Sequence, residues 1–407
     1  MSDSPNSALT PALSRSSRRG GSILAAGSVL AWAVYLGASW TWCIGMFLPV
    51  LLIRDYGIWG FVVFAVPNVV GAAAMAWVLP NAEASRAFVA RHRVACSCFS
   101  AATLFFHGYF LGWIVQAALN NFSPLINLSV LLVPLAFLVI AYSRRGRHAL
   151  ALISFSISTL LAWLLWHTSV IPRPAAPPQA GADLMGIAAV CGFGLLLCPY
   201  LDLTFHEARQ GTTAAGGRAA FGIGFAVFFF SMILFTFAYS GWLMPPRKEL
   251  PQFLITALSI HFLVQSALKF ALHTHQIGFS WLKSLIVIGV LLALWLGGRA
   301  GAQPEIWPAN IHADWIRNSW YFSALQNGEF GYRCFMSLYG LFFPAYVWIC
   351  IFRRRDLKRW LTYVLIAAPM YWMGFIEGCT IYLLPAVGIL LLAGIWPREA
   401  KLAAATV

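Results

Sequence analysis

The sequence predicts an all-α polytopic membrane protein with about twelve transmembrane helices. Three observations carry this expectation. Hydrophobic residues make up 60% of the 407 residues and charged residues only 10%, too little charge to cover a soluble fold of this length. Apolar runs of about 18 residues or more recur along the chain, each long enough to cross a hydrocarbon core of roughly 30 Å. The runs are continuous rather than alternating, which excludes a membrane β-barrel.

Residues 1–20 are Ser-rich and carry Arg15, Arg18 and Arg19. They read as a disordered cytoplasmic tail, because the apolar run behind them is too long for the core of a signal peptide. The membrane domain is expected over 21–397. Its spans fall near 22–53, 58–79, 94–118, 126–142, 149–167, 184–206, 220–243, 252–272, 279–298, 334–352, 360–375 and 378–396. The last two form a hairpin, 360–396, around Glu377-Gly378, and 398–407 is a second cytoplasmic tail.

With the N-terminus inside, 20 of the 27 Lys and Arg residues fall in inner segments or at inner helix ends. The outer side keeps Arg54, Arg173, Arg247, Lys248, Arg299, Arg317 and Arg333. That is the positive-inside bias, and it places both termini in the cytoplasm of what is expected to be a bacterial inner membrane. The net charge of +14 is then a matter of topology and of anionic inner-leaflet lipid, with no nucleic-acid partner implied. The eight cysteines, 43, 96, 98, 191, 198, 334, 350 and 379, lie in or beside apolar runs and read as small hydrophobes. Cys96-x-Cys98 has no matching second pair, so neither a metal site nor a bound cofactor is expected.

Two outer segments are long. Residues 168–183 form a Pro-rich linker between spans five and six. In 299–333, Ile311, Trp315, Ser319 and Phe322 fall at helical spacing, which suits an interfacial helix or a lid over a substrate path. The linker divides the chain into spans one to five (22–167) and six to ten (184–352). Five is odd, so the second set runs with opposite orientation, as in an inverted repeat.

The first run covers about 32 residues, a helix of roughly 48 Å, longer than the hydrocarbon core. Gly37-Ala38-Ser39-Trp40-Thr41 near its middle offers a place to break, since Gly tolerates unusual angles and hydroxyls bond freed backbone. Span six carries Gly192-Phe193-Gly194 near its centre, then Pro199. Matched interruptions opening each half point to a binding site at the bilayer midplane. Close helix packing through small residues is the competing explanation.

On these spans and interruptions the chain resembles the five-plus-five inverted-repeat transporters of the leucine-transporter fold. These include the amino acid–polyamine–organocation and sodium–solute symporter families. The resemblance covers spans one to ten and implies substrate binding at Gly37, Ala38, Ser39 and Trp40, and at Gly192, Phe193 and Gly194. It also implies a wall from His107 and Tyr109 in span three. A sodium site between spans one and eight would fall on Ser259 and Ser266. Unlike many such transporters, this chain has a short outer loop between spans seven and eight, and its long outer segment follows span nine.

Ionisable residues inside apolar runs are functional candidates. Asp202 reads as a proton- or cation-coupling carboxylate or as a structural acid paired with an inner-loop Arg. Lys269 either snorkels to the interface or sets its ammonium in place of a coupling cation, with Gln265 and Ser266 nearby. Asn68, after Pro67, is expected to bond backbone freed by the proline, and Glu377 to be solvated.

The expected function is a secondary transporter of a small organic solute, coupled to sodium or protons, with no catalytic residue and no nucleotide-binding loop. The oligomeric state is open. Two other readings remain: a polytopic acyl- or glycosyltransferase using outer groups such as His312 and Asp314, and a transporter-like sensor module.

Overall fold

The computed structural model describes residues 27–119, 124–168, 180–243, 252–277, 280–302 and 328–395. Both tails, residues 169–179 of the Pro-rich linker, and the 299–333 segment from 303 to 327 lie outside them. His312 and Asp314 therefore do too.

The described residues are helical throughout, with no strand. In chain order the helices are α1 (Gly27–Trp40), α2 (Cys43–Tyr56), α3 (Ile58–Val78), α4 (Ala82–Arg91), α5 (Arg93–Leu119), α6 (Pro124–Ile140), α7 (Arg144–Thr168), α8 (Ala180–Leu197) and α9 (Leu203–Gln210). Then come α10 (Ala214–Ser240), α11 (Gln252–Gln276), α12 (Ser280–Gly301), α13 (Gly328–Phe352), α14 (Leu357–Tyr371) and α15 (Leu383–Ile395). Every expected span contains a helix. Seven helices among the described residues are long and apolar enough to cross a bilayer, or eight if the bent pair α1 and α2 is one span. The protein is thus a polytopic helical membrane protein.

Sharp turns fall where the sequence supplies the residue for them. Gly57 (φ 63°) reverses the chain between α2 and α3, and Gly378 (φ 81°) forms the α14–α15 hairpin, both in the left-handed region that glycine adopts without strain. Helices α4 and α10 start on polar caps. The Asn81 carboxamide oxygen accepts from Ala84 N at 2.8 Å, and Thr213 Oγ1 accepts from Gly216 N at 3.1 Å.

Packing sorts the helices into two groups. In one, α3 lies along α8, and α10 lies along α2; in the other, α5 lies along α12, and α11 along α6. Helices α5 and α11 also pack on each other. The α5–α12 approach is backbone-close, because a Cβ at Gly112 would overlap the Leu294 carbonyl and one at Gly297 the Tyr109 carbonyl.

Both ends of the body are tied by charge. At one, Arg147 Nη2 donates to Glu207 Oε1 at 2.7 Å, Gln276 Nε2 and Tyr35 OH donate to Glu207 Oε2 at 2.8 and 2.9 Å, and Arg209 donates to the Leu79 and Pro80 carbonyls. At the other, Arg54 and Arg333 share Glu329. Segments assigned from charge to one side therefore meet one another at the same end of the body. Glu377 departs from expectation: it is buried at 8% exposure and accepts from Trp372 Nε1 at 2.8 Å, which supplies the partner that water would otherwise provide.

Of the three glycines expected to break spans one and six, Gly37 and Gly194 are packing residues. Gly37 lies within α1, and a Cβ there would stand 2.6 Å from Phe228 Cβ and 2.9 Å from Phe229 N. Those atoms belong to a π turn, Gly224–Phe229, inside α10. A Cβ at Gly194 would stand 2.6 Å from the Tyr339 carbonyl oxygen of α13, while Gly192 faces open space. Gly37→Val is therefore expected to destabilise by about 1–3 kcal/mol through overpacking. Gly192→Ala should be neutral or stabilising by up to about 1 kcal/mol. Thermal unfolding in detergent separates the two.

Candidate functional site

Both helices are interrupted, but beyond the glycines. In the first, α1 ends at Trp40 and α2 starts at Cys43, with a bend of 58°. Gly37, Ala38, Ser39 and Trp40 are all helical, so the break falls on Thr41 and Trp42, at the C-terminal edge of the expected segment. In the second, α8 runs unbroken through Gly192, Phe193 and Gly194 to Leu197. A 3-10 turn, Cys198–Leu201, follows, and Asp202 is extended (φ −77°, ψ 113°) before α9. Pro199 at the second position of that turn is the sequence reason, since it removes a backbone donor and ends the α-helical ladder.

The two interruptions meet. Thr204 Oγ1 lies 3.2 Å from Ser39 Oγ, and the Trp40 and Phe205 rings are 4.8 Å apart. Every carbonyl freed at the C-terminus of α1 has a donor. Ser39 Oγ donates to Leu36 O at 3.0 Å, Thr41 Oγ1 to Gly37 O at 2.8 Å, and Trp42 Nε1 to Ser39 O at 2.7 Å. Ala38 O accepts from Lys269 Nζ at 2.5 Å. This last bond places an ammonium on the negative end of a helix dipole inside the membrane body.

Lys269 is fully buried, so it does not snorkel. Its second acceptor is Gln265 Oε1 at 3.1 Å. Gln265 Nε2 in turn donates to Ser158 Oγ of α7 at 2.9 Å, and Ser158 Oγ lies 2.8 Å from His261 Nδ1. His261, Gln265, Lys269 and His273 repeat every fourth residue of α11 and form one polar stripe. All four are buried.

Asp202 makes no ion pair among the described residues, which corrects its expected pairing with an inner-loop Arg. It caps α9 instead. Its Oδ1 accepts from Thr204 N and from Thr204 Oγ1, both at 2.7 Å. Its Oδ2 is buried and has no hydrogen-bond partner among the described residues. The same holds for Ser266 Oγ and His273 Nε2.

The start of α2 is read by His107. The Thr103 carbonyl, 2.8 Å from Nδ1, can only accept, so Nδ1 carries the proton and Nε2 accepts from Cys43 N at 3.3 Å. Trp42 fills the space between the helices. Its ring lies 4.4 Å from Trp40, 5.2 Å from Phe99, 5.5 Å from Tyr339 and 5.8 Å from His273. Trp40 Nε1 donates to Asn68 Oδ1 at 2.5 Å. Asn68 thus serves the indole, not the backbone near Pro67.

The structure therefore brings together Ala38, Ser39, Trp40, His107, Asp202 and Lys269. It leaves out others. Tyr109 OH donates to Gly328 O at 3.1 Å, away from the break. Ser259 is ten residues before Lys269, about 15 Å along α11. Phe193 is buried in the core, and Gly37, Gly192 and Gly194 line no opening at the break. Thr204 and His273 are site residues not singled out from the sequence. The stripe spacing on α11 and the Asp-x-Thr cap at 202–204 were the available signals.

A separate apolar cavity lies between α2, α8, α13 and α14, lined by residues including Leu48, Cys191, Gly194, Tyr339 and Tyr371. Along α1 and α2 the break lies between Tyr35, which donates to the Glu207 cluster at one end, and Arg54, which donates to the Glu329 cluster at the other. In the latter, Arg54 Nη1 and Nη2 donate to the two Glu329 oxygens at 2.8 and 3.0 Å, and Arg333 Nη2 donates to Glu329 Oε1 at 2.6 Å. Glu329→Ala strips two guanidiniums of their shared carboxylate. It is expected to destabilise by roughly 3 kcal/mol, measured as a lower melting temperature in detergent.

In comparison with known proteins, no family model and no curated protein matches this chain. No group of three or more His, Cys, Asp or Glu side chains able to hold a metal ion occurs among the described residues.

Proposed function

We propose that this chain is a secondary active transporter of a small organic solute, coupled to protons, with its site where the two interrupted helices meet. The observation that carries the reading is the Lys269 ammonium seated on Ala38 O at 2.5 Å, beside the Asp202 turn and the Thr204–Ser39 contact. Interrupted helices in lipid are tolerated where they line a site, because freed backbone groups need partners. A titratable ammonium held by two oxygens stands where a free metal cation would otherwise be coordinated. That favours the proton over sodium as coupling ion.

Packing supports a twelve-span inverted repeat. Exchange of the halves turns α1/α2 into α8/α9, α3 into α10, α5 into α11 and α6 into α12. It maps the α3–α8 pair onto α10–α2, and the α11–α6 pair onto α5–α12. The two halves are then α1–α7 and α8–α13, with α14 and α15 added. Under this reading the Arg-rich end faces the cytoplasm of a bacterial cell, with both termini inside.

Uptake by proteoliposomes tests the function. With an acidic exterior and no sodium, at least one solute of a broad amino acid, amine and carboxylate panel should accumulate above the level of protein-free vesicles. Equal filling with and without the pH gradient across the panel contradicts it.

A further inference from the structure

The turn between α13 and α14 is a basic cluster that the transport site does not use. Arg353, Arg354, Arg355, Lys358 and Arg359 surround one acid, Asp356. That acid is engaged as a helix cap, with Oδ1 accepting from Arg359 N at 2.7 Å. The cluster is built rather than loose. The Arg353 guanidinium lies 4.2 Å from the centre of the Trp348 ring, and Trp348 Nε1 donates to Leu391 O of α15 at 3.1 Å. Gly394 lets α15 close on this stack, since a Cβ there would overlap Trp348 and stand 2.9 Å from Arg353 Cγ. Arg353 N donates to Trp348 O at 3.0 Å and Arg355 N to Ile349 O at 2.9 Å, closing the helix end.

Arg354 has φ 51°, the one positive φ of a non-glycine residue among the described residues. Glycine is the ordinary occupant of a left-handed helix terminus. An arginine there keeps a long cation at the end of α13 despite backbone strain, and strain held in place is a pointer to function. A second segment arrives at the same end. His92 Nδ1 lies 3.2 Å from Tyr346 OH, and Tyr346 packs on Trp360 at 6.0 Å. The α4–α5 turn therefore brings Arg91 and Arg93 to the same end. Beside the cations is an exposed apolar face, with Leu357 60% and Leu365 61% exposed, and Phe352 and Leu361 nearby.

We propose that the α13–α14 turn binds the phosphate headgroup of an anionic phospholipid, whose acyl chains run along the apolar face of α14. Guanidiniums suit a phosphodiester because they donate two parallel hydrogen bonds to its oxygens. The adjoining exposed Leu residues favour a lipid over a soluble polyanion. Each cation near an anionic headgroup contributes about five-fold in affinity.

The test uses the full chain in neutral detergent, titrated with phosphatidylglycerol or with phosphatidylcholine of the same acyl chains. Bound lipid is counted by native mass spectrometry. Phosphatidylglycerol should be retained preferentially. Arg354→Gly, which suits the left-handed backbone, should keep the melting temperature and lose about five-fold in retention. The double variant Arg353→Gln/Lys358→Gln should lose about 25-fold, and it serves if the first variant fails to fold. Equal retention of the two lipids, or unchanged phosphatidylglycerol retention in the folded variants, overturns the proposal. Displacement of phosphatidylglycerol by millimolar inorganic phosphate also overturns it, by making the site one for free phosphate.

Discussion

Lys269→Met should abolish solute accumulation while leaving the protein folded. The side chain is fully buried, and its ammonium bonds Ala38 O at 2.5 Å and Gln265 Oε1 at 3.1 Å. Methionine keeps the length and apolar stem but removes the donors and the charge. Ala38 O retains Thr41 N at 3.3 Å, so the main acceptor left short is Gln265 Oε1. An unsatisfied buried acceptor costs about 1–3 kcal/mol, and release of a desolvated ammonium offsets part of it. The melting temperature is expected to fall only modestly, and gradient-driven uptake to fall to that of protein-free vesicles. Uptake that survives in Lys269→Met would remove the residue from the coupling step. Lys269→Arg is a stricter comparison. It keeps the charge but never loses its proton, so it should bind solute without accumulating it.

Asp202→Asn separates the two things this residue does. Its Oδ1 caps α9 through Thr204 N at 2.7 Å, and asparagine caps nearly as well as aspartate. Stability should change by less than about 0.5 kcal/mol. The charge, however, disappears from a buried turn next to Ser39, where Oδ2 has no hydrogen-bond partner among the described residues. A buried carboxylate in such a place is expensive, and it is expected where it does functional chemistry. Transport in Asp202→Asn should therefore fall at least about ten-fold, the scale of a supporting polar group at a binding site. Asp202→Ala should add a loss of about 0.5–2 kcal/mol from the missing cap. A silent Asp202→Asn beside a destabilised Asp202→Ala would reduce Asp202 to its capping role. Chemical denaturation and uptake, run on both variants, distinguish these outcomes.

The helices were legible in the sequence because a bilayer imposes one rule on every span, a run of apolar residues of fixed length. The meeting of the first and sixth spans was legible too, but not through the residues that suggested it. Glycine in an apolar helix signals either a break or a close approach, and local sequence does not separate them. Gly37 turned out to face Phe228 and Gly194 to face the Tyr339 carbonyl, both close approaches. The interruption of the sixth span follows residues with unambiguous local chemistry. Pro199 ends one helix, and Asp202 with Thr204 starts the next, a cap pattern that reads directly from the chain. His107 on Cys43 N and Asn68 on the Trp40 indole were beyond reach, because each joins segments far apart in the chain and depends on how whole helices cross. The stripe His261, Gln265, Lys269, His273 was within reach, since a spacing of four is a helix face and polar residues along one apolar helix rarely coincide.

Proton movement evoked by solute tests the central claim most directly. A pH-sensitive dye is sealed inside sodium-free proteoliposomes, and a solute found to accumulate is added outside. The wild-type protein should acidify the lumen on addition of solute, and Lys269→Met should not. Solute entry that needs sodium and leaves the dye unchanged, or equal acidification by Lys269→Met, would contradict proton coupling at the paired helix breaks.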